Sequence, residues 1–123
     1  MKLFFLLSSL FLFLSSGDCH KKNSSKKYKG RLEIAGICLN YTIKLLAGDI
    51  DTSKIESHWT DEMTGKSYTN VFSLVNPCVF PKTIKQGDEF YFKIDTVVKQ
   101  QCITCLAYYP KPSKKLSIVV IEK

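Results

Sequence analysis

The chain has 123 residues and a formal charge of +7, long enough for one domain and too short for a second hydrophobic core. The charge is local: Lys21, Lys22, Lys26, Lys27, Lys29 and Arg31 fall in a stretch without acid, whereas Leu32 to Lys123 carries eleven lysines against ten acidic residues. This argues against a nucleic-acid-binding domain, whose folded face would carry the electrostatic footprint.

Residues 1–18 combine Lys2, a nearly unbroken apolar run from Leu3 to Leu14 and the exit Ser15-Ser16-Gly17-Asp18, the pattern of an export signal. The run is shorter than the roughly 20 apolar residues needed to span a bilayer. The mature chain is therefore expected outside the cytosol, where thiols oxidise. Its five cysteines are an odd number. Cys38, Cys78, Cys102 and Cys105 are expected in structural disulfides of unreadable connectivity, and Cys19, directly after the signal, is left over. In a bacterial source Cys19 is expected to carry a lipid, which resolves the parity. Ser16 and Gly17 suit that processing; Asp18 departs from it, because the position before the cysteine is usually small and neutral. The alternative is cleavage near Ser16 or Gly17, with Cys19 free or bridged.

Residues 19–30 read as a basic, flexible tether unable to bury anything, and residues 31–123 as a single domain. Within it Leu39, Tyr41, Ile43 and Leu45 alternate with polar residues and predict a strand. Gly48-Asp49-Ile50-Asp51 breaks it. Ile55, Ser57 and Trp59 predict a short strand, although Ser53 to Met63 could also hold a helical turn. Asp61 to Lys66 is a hairpin-type turn, after which Tyr68, Phe72 and Leu74 alternate in phase. Asn76-Pro77-Cys78 and Pro81 form a loop, Gln86-Gly87-Asp88 a turn, and Phe90, Phe92 and Ile94 one face of a further strand. Cys102 to Tyr109 and Leu116 to Ile121 are the last two, separated by Pro110-Lys111-Pro112. Six or seven short strands without an amphipathic helix predict an all-β fold, a small antiparallel β-sandwich or barrel, with the sandwich preferred.

Candidate chemistry is sparse. Cys102 and Cys105 form a CxxC, but in β-rich sequence and not at the helix start that a thioredoxin-like redox pair requires. Four thiolates could bind zinc, yet a tetrahedral site usually draws on two close pairs and only one exists. Extended residues three apart face opposite ways, so Cys102 and Cys105 can bridge each other only across a bend. His58-Trp59-Thr60-Asp61-Glu62 sets a histidine beside two carboxylates and reads as a solvated strand end. Asp49 and Asp51 fit a turn better than a calcium loop. Asn23 and Asn40 match the N-glycosylation pattern, and a glycan on Asn40 would require the face opposite the apolar set to be open. No catalytic residue, metal or cofactor is assigned.

The stretches GICLNYTIKLL, WTDEMTGKSYTNVFSL, NPCVFPKTIKQGDEFYFKI and CITCLAYYPKP make the body similar to short exported lipoprotein-like proteins of Bacteroidetes bacteria. That resemblance implies an exported address and a lipid anchor, and no activity. A lesser likeness, through GRL and TDEMTGK, is to nematode transthyretin-like secreted proteins and would imply a β-sandwich. The expected function is that of a non-enzymatic, exported domain of the bacterial cell envelope. It would be held at the membrane by lipidated Cys19 and the basic tether, and would present a surface to a protein or envelope partner. The alternatives are a soluble secreted, disulfide-stapled binding or inhibitor domain, and a thiol oxidoreductase using Cys102 and Cys105.

Overall fold

The computed structural model describes residues 26–96, 102, 105 and 107–123. The expected signal, Cys19 and most of the tether lie outside the described residues. Seven strands follow one another: β1 (Tyr28–Gly36), β2 (Asn40–Ala47), β3 (Glu56–Thr60), β4 (Ser67–Leu74), β5 (Glu89–Ile94), β6 (Lys115–Leu116) and β7 (Ile118–Glu122). Short 3-10 turns at Ile37–Leu39 and Pro77–Val79 supply the only helical geometry among the described residues.

β1 pairs antiparallel with β2 and β5, β2 with β4, β4 with β3, and β5 with β7. β6 instead runs parallel to β4, with Ser73 opposite Lys115 and Leu74 opposite Leu116. The Ser73 and Val75 N–H groups donate to the carbonyls of Lys114 and Leu116 at 2.9 and 3.0 Å. Only Ser117 separates β6 from β7, so this last segment joins both ends of the sheet and closes β4-β2-β1-β5-β7 into a ring, with β3 hanging from β4 outside it. The all-β expectation holds, and of the two forms it left open the pairing selects a barrel over the preferred sandwich. The first ring strand pairs with the second and fourth, and the third runs parallel to the last. That is the connectivity of OB-type Greek-key barrels, a frame that hosts unrelated functions and by itself assigns none.

Period-two alternation turns one side of each strand inward. Leu32, Ile43, Phe72, Phe90, Phe92, Leu116 and Ile118 fill the barrel, joined by Ile84 and by Phe80 from just after the Pro77–Val79 turn. Phe80 meets Phe90 edge-on at 5.4 Å, and Phe92 lies 5.8 Å from Phe72. Burying each such side chain contributes about 1.5–3 kcal/mol. Gly30 faces this core, where an added Cβ would sit 3.0 Å from Phe92 and 3.2 Å from Ile43. The glycine lets β1 lie close to those side chains.

Three expectations need correcting. The tether does not extend to residue 30: β1 begins at Tyr28, which is buried, stacks on Phe92 at 5.5 Å and packs over Gly48. Lysines on either side hide Tyr28 from a composition reading, because they alternate with it and face out. Leu39 is not in phase with Tyr41 but sits with Cys38 in left-handed backbone (φ 60° and 58°). Such geometry costs roughly 1–2 kcal/mol per residue. The Asn40 backbone N–H and its Nδ2, the latter at 2.8 Å, both close that turn by donating to the Ile37 carbonyl. Finally, no described residue between Cys102 and Tyr109 is in a strand. Tyr109 to Pro112 packs on the outside of the sheet, and its two prolines cannot donate to a ladder.

Candidate binding surface

The connection from β5 to β6 is anchored at two points. Cys105 bonds Cys38 in the β1–β2 turn, with Cα atoms 5.5 Å apart, and Cys102 bonds Cys78 in the Pro77–Val79 turn, with Cα atoms 5.9 Å apart. All four expected cysteines are thus paired, and the CxxC cysteines bridge outward instead of to each other. In chain-entropy terms bridges spanning 67 and 24 residues stabilise by about 4.4 and about 3.4 kcal/mol respectively. Two disulfides place the folded protein in an oxidising, exported location.

Beyond Cys105 the chain crosses the outer face of β1, β2 and β4 as a strap. On that face Thr42 pairs with Ser73 and Lys44 with Val71, alternating with the inward pair Ile43 and Phe72. Thr42, Val71 and Ser73 are nevertheless buried, as are Pro110 and Pro112. The Ser73 hydroxyl donates to the Pro112 carbonyl at 2.9 Å. Tyr109 lies on Gly36, where a Cβ would approach its ring to 2.5 Å. The strap therefore seals a second, smaller interior outside the barrel. Asn40 is 9% exposed and its Nδ2 is committed to the Ile37 carbonyl, so a glycan on that side chain is incompatible with the fold.

The β3–β4 hairpin flanks the strap. Trp59 and Tyr68 are directly opposite in register, their rings 5.7 Å apart, and the Lys66 ammonium lies 5.2 Å from the Tyr68 ring. In the hairpin turn the buried Asp61 accepts the Met63 N–H at 2.9 Å, and the Gly65 N–H donates to the Asp61 carbonyl at 2.7 Å. Two hydroxyls bind strap to hairpin: Tyr108 donates to the Glu62 carboxylate and Ser113 to the Glu56 carboxylate. The bond to Glu62 is the main cause of a raised Tyr108 pKa, while burial followed by Asp61, Glu33 and Tyr109 raises that of Tyr68. Both phenols stay neutral at physiological pH. At this junction Tyr108 and Met63 are exposed, Tyr108 to 79%.

The one polar cluster visible in the sequence is dispersed. His58 stands opposite Thr69, Trp59 alternates to the other side, and Asp61 is engaged in its turn. Asp51 accepts the Ser53 N–H at 2.9 Å, a turn bond that lowers its pKa, as the turn reading expects of Asp51. Among the described residues no group of three or more His, Cys, Asp or Glu is gathered as a metal site requires. The surface that does form, Tyr108 and Met63 with Trp59 and Tyr68, escaped the sequence reading. Its only signal there is Tyr108-Tyr109-Pro110-Lys111-Pro112 following a CxxC, aromatic residues on a chain too proline-rich to be a strand.

Comparison with protein-family models, with curated proteins and with solved structures finds no match to this chain.

Proposed function

We propose that the protein is a non-catalytic binding domain of the cell envelope, anchored through lipidated Cys19 and its basic tether. It engages a protein or envelope partner with the surface where strap and hairpin meet. The observation that supports this reading is the fixing of exposed Tyr108 by two disulfides and by its bond to Glu62. A contact residue held in place before binding loses little freedom on association, which favours affinity. Large amphipathic aromatic side chains are also those that dominate interface energetics.

The test is binding of the purified protein to isolated envelope fractions, compared with Tyr108→Ala and Met63→Ala variants whose melting temperatures match the parent. A loss of tenfold or more in either variant supports the reading. Unchanged binding in both removes this surface from consideration. Intact-mass measurement of native material separates the anchored form, with acyl mass on Cys19, from a soluble secreted domain.

A further inference from the structure

The near balance of charge along the body conceals an uneven distribution in space. Lys54, Lys111, Lys114 and Lys115 gather where β6 closes on β4. Lys115 lines two adjoining cavities: one of about 340 Å³ shared with Lys111, Asn40 and Cys102, the other of about 510 Å³ shared with Lys54, Lys114 and Asp95. The ion pairs among the described residues join Lys27 to Glu122, Lys29 to Glu89, Arg31 to Glu33 and Lys123 to Asp88, and none involves these four lysines. Among the described residues that line the first cavity with Lys111 and Lys115, none is a carboxylate. Desolvation and the neighbouring Lys115 charge both lower the Lys111 pKa. Lys111 and Lys115 thus line one space, near enough for their charges to oppose one another.

The walls are fixed. Lys111 sits between Pro110 and Pro112, both buried in the strap, and the Cys78–Cys102 bond secures the opposite side. Lysine is a point charge suited to phosphoryl oxygens, whereas planar carboxylate recognition favours arginine forks. Two cations converging without an acid match a dianion.

We propose that Lys111 and Lys115 form a binding site for a phosphomonoester, with the phosphoryl group between them and the esterified remainder directed toward Lys54 and Lys114. This site uses none of the residues of the Tyr108 surface and stands independently of it. The ester is either a lipid headgroup or a soluble phosphate compound, which share the same phosphoryl chemistry.

The experiment is calorimetric titration of the purified mature protein with inorganic phosphate, against sodium chloride at equal ionic strength. Co-sedimentation with phosphatidic acid vesicles, against phosphatidylcholine vesicles, forms a second arm. Phosphate should bind saturably, and Lys111→Ala and Lys115→Ala should each weaken it at least tenfold while Lys66→Ala leaves it unchanged. Lys111→Gln, which preserves the side-chain stem, guards against loss through misfolding. Vesicle binding that falls in the same variants assigns the ester to a lipid; phosphate binding without it assigns a soluble ligand. Phosphate no more effective than chloride, or equal affinity in parent and variants, would overturn the proposal.

Discussion

The Ser73 hydroxyl and the Pro112 carbonyl, 2.9 Å apart and both enclosed, fasten the strap to β4 on the side of the strand facing away from the barrel. Ser73→Ala leaves that carbonyl without this donor, and a buried acceptor stripped of its partner costs about 1–3 kcal/mol. Urea unfolding should show a stability loss in that range with an unchanged slope; a loss below about 0.5 kcal/mol would mean that the strap is held by its prolines and disulfides alone.

Gly36 tests the same contact from β1. A methyl group there meets the Tyr109 ring at 2.5 Å and the Asn40 carbonyl at 2.7 Å, so Gly36→Ala should lower the melting temperature. Adding Tyr109→Ala relieves one clash and leaves the other. The double variant should therefore be destabilised by less than the sum of the two single changes, and strict additivity would argue against contact between the two residues.

Tyr108 ionises late because its bond to Glu62, then desolvation and the Glu62 charge, favour the neutral phenol. Stability from this bond is fully present below the ordinary phenol value near pH 10.0 and is lost as pH rises through the higher folded-state value. Ultraviolet titration should find the Tyr108 phenolate at lower pH in Glu62→Gln than in the parent. An unchanged titration curve would detach the two groups.

Asp88 gives the opposite sign. The Lys85 N–H donates to its carboxylate at 2.9 Å and the Lys123 ammonium lies 2.9 Å away; the first, then the second, holds the pKa below 3.8. Its contribution is present above pH 3.8 and disappears as pH falls through the lower folded value. Asp88→Asn should flatten the fall in stability on the acid side of pH 3.8 and leave the slope near neutrality unchanged, as followed by fluorescence across an acid series.

Binding to anionic vesicles by the tether should map to residues 20–26, each cation contributing on the order of 1 kcal/mol near the surface. The trimmed protein for comparison must start at Lys27, since a start at Leu32 removes Tyr28 and Gly30 from β1. Equal sedimentation of long and trimmed forms at low salt would assign membrane affinity to the folded domain.

The strands were legible where one face meets the core and the other is open to water, as in Phe90 and Phe92 beside the exposed Glu89. The pattern failed where both faces are enclosed. Val71, Phe72, Ser73 and Leu74 are all buried, and nothing in their order announces that the outward pair is roofed by residues nearly forty positions away. The left-handed Asn70 (φ 53°) interrupts the alternation that had put Tyr68 in phase with Phe72. Cysteine parity reached the number of bridges but not their partners, because connectivity depends on which turns the barrel brings together. The binding surface was illegible for the same reason: Tyr108 and Glu62 are 46 positions apart and meet only after closure.

Ring closure by Lys115 and Leu116 on β4 also sets an order of assembly. The closing segment lies C-terminal to every strand it joins, and β1 must wait for β5 before it has its second neighbour. Contacts so distant in sequence form slowly. A chain threaded through a membrane from its N-terminus would present β1 to β4 on the far side as an unclosed sheet until residues 115–122 arrive. Export in the unfolded state is therefore compatible with this topology, and a chain interrupted before Lys115 would remain open along β4, with an exposed strand edge prone to pairing with other chains.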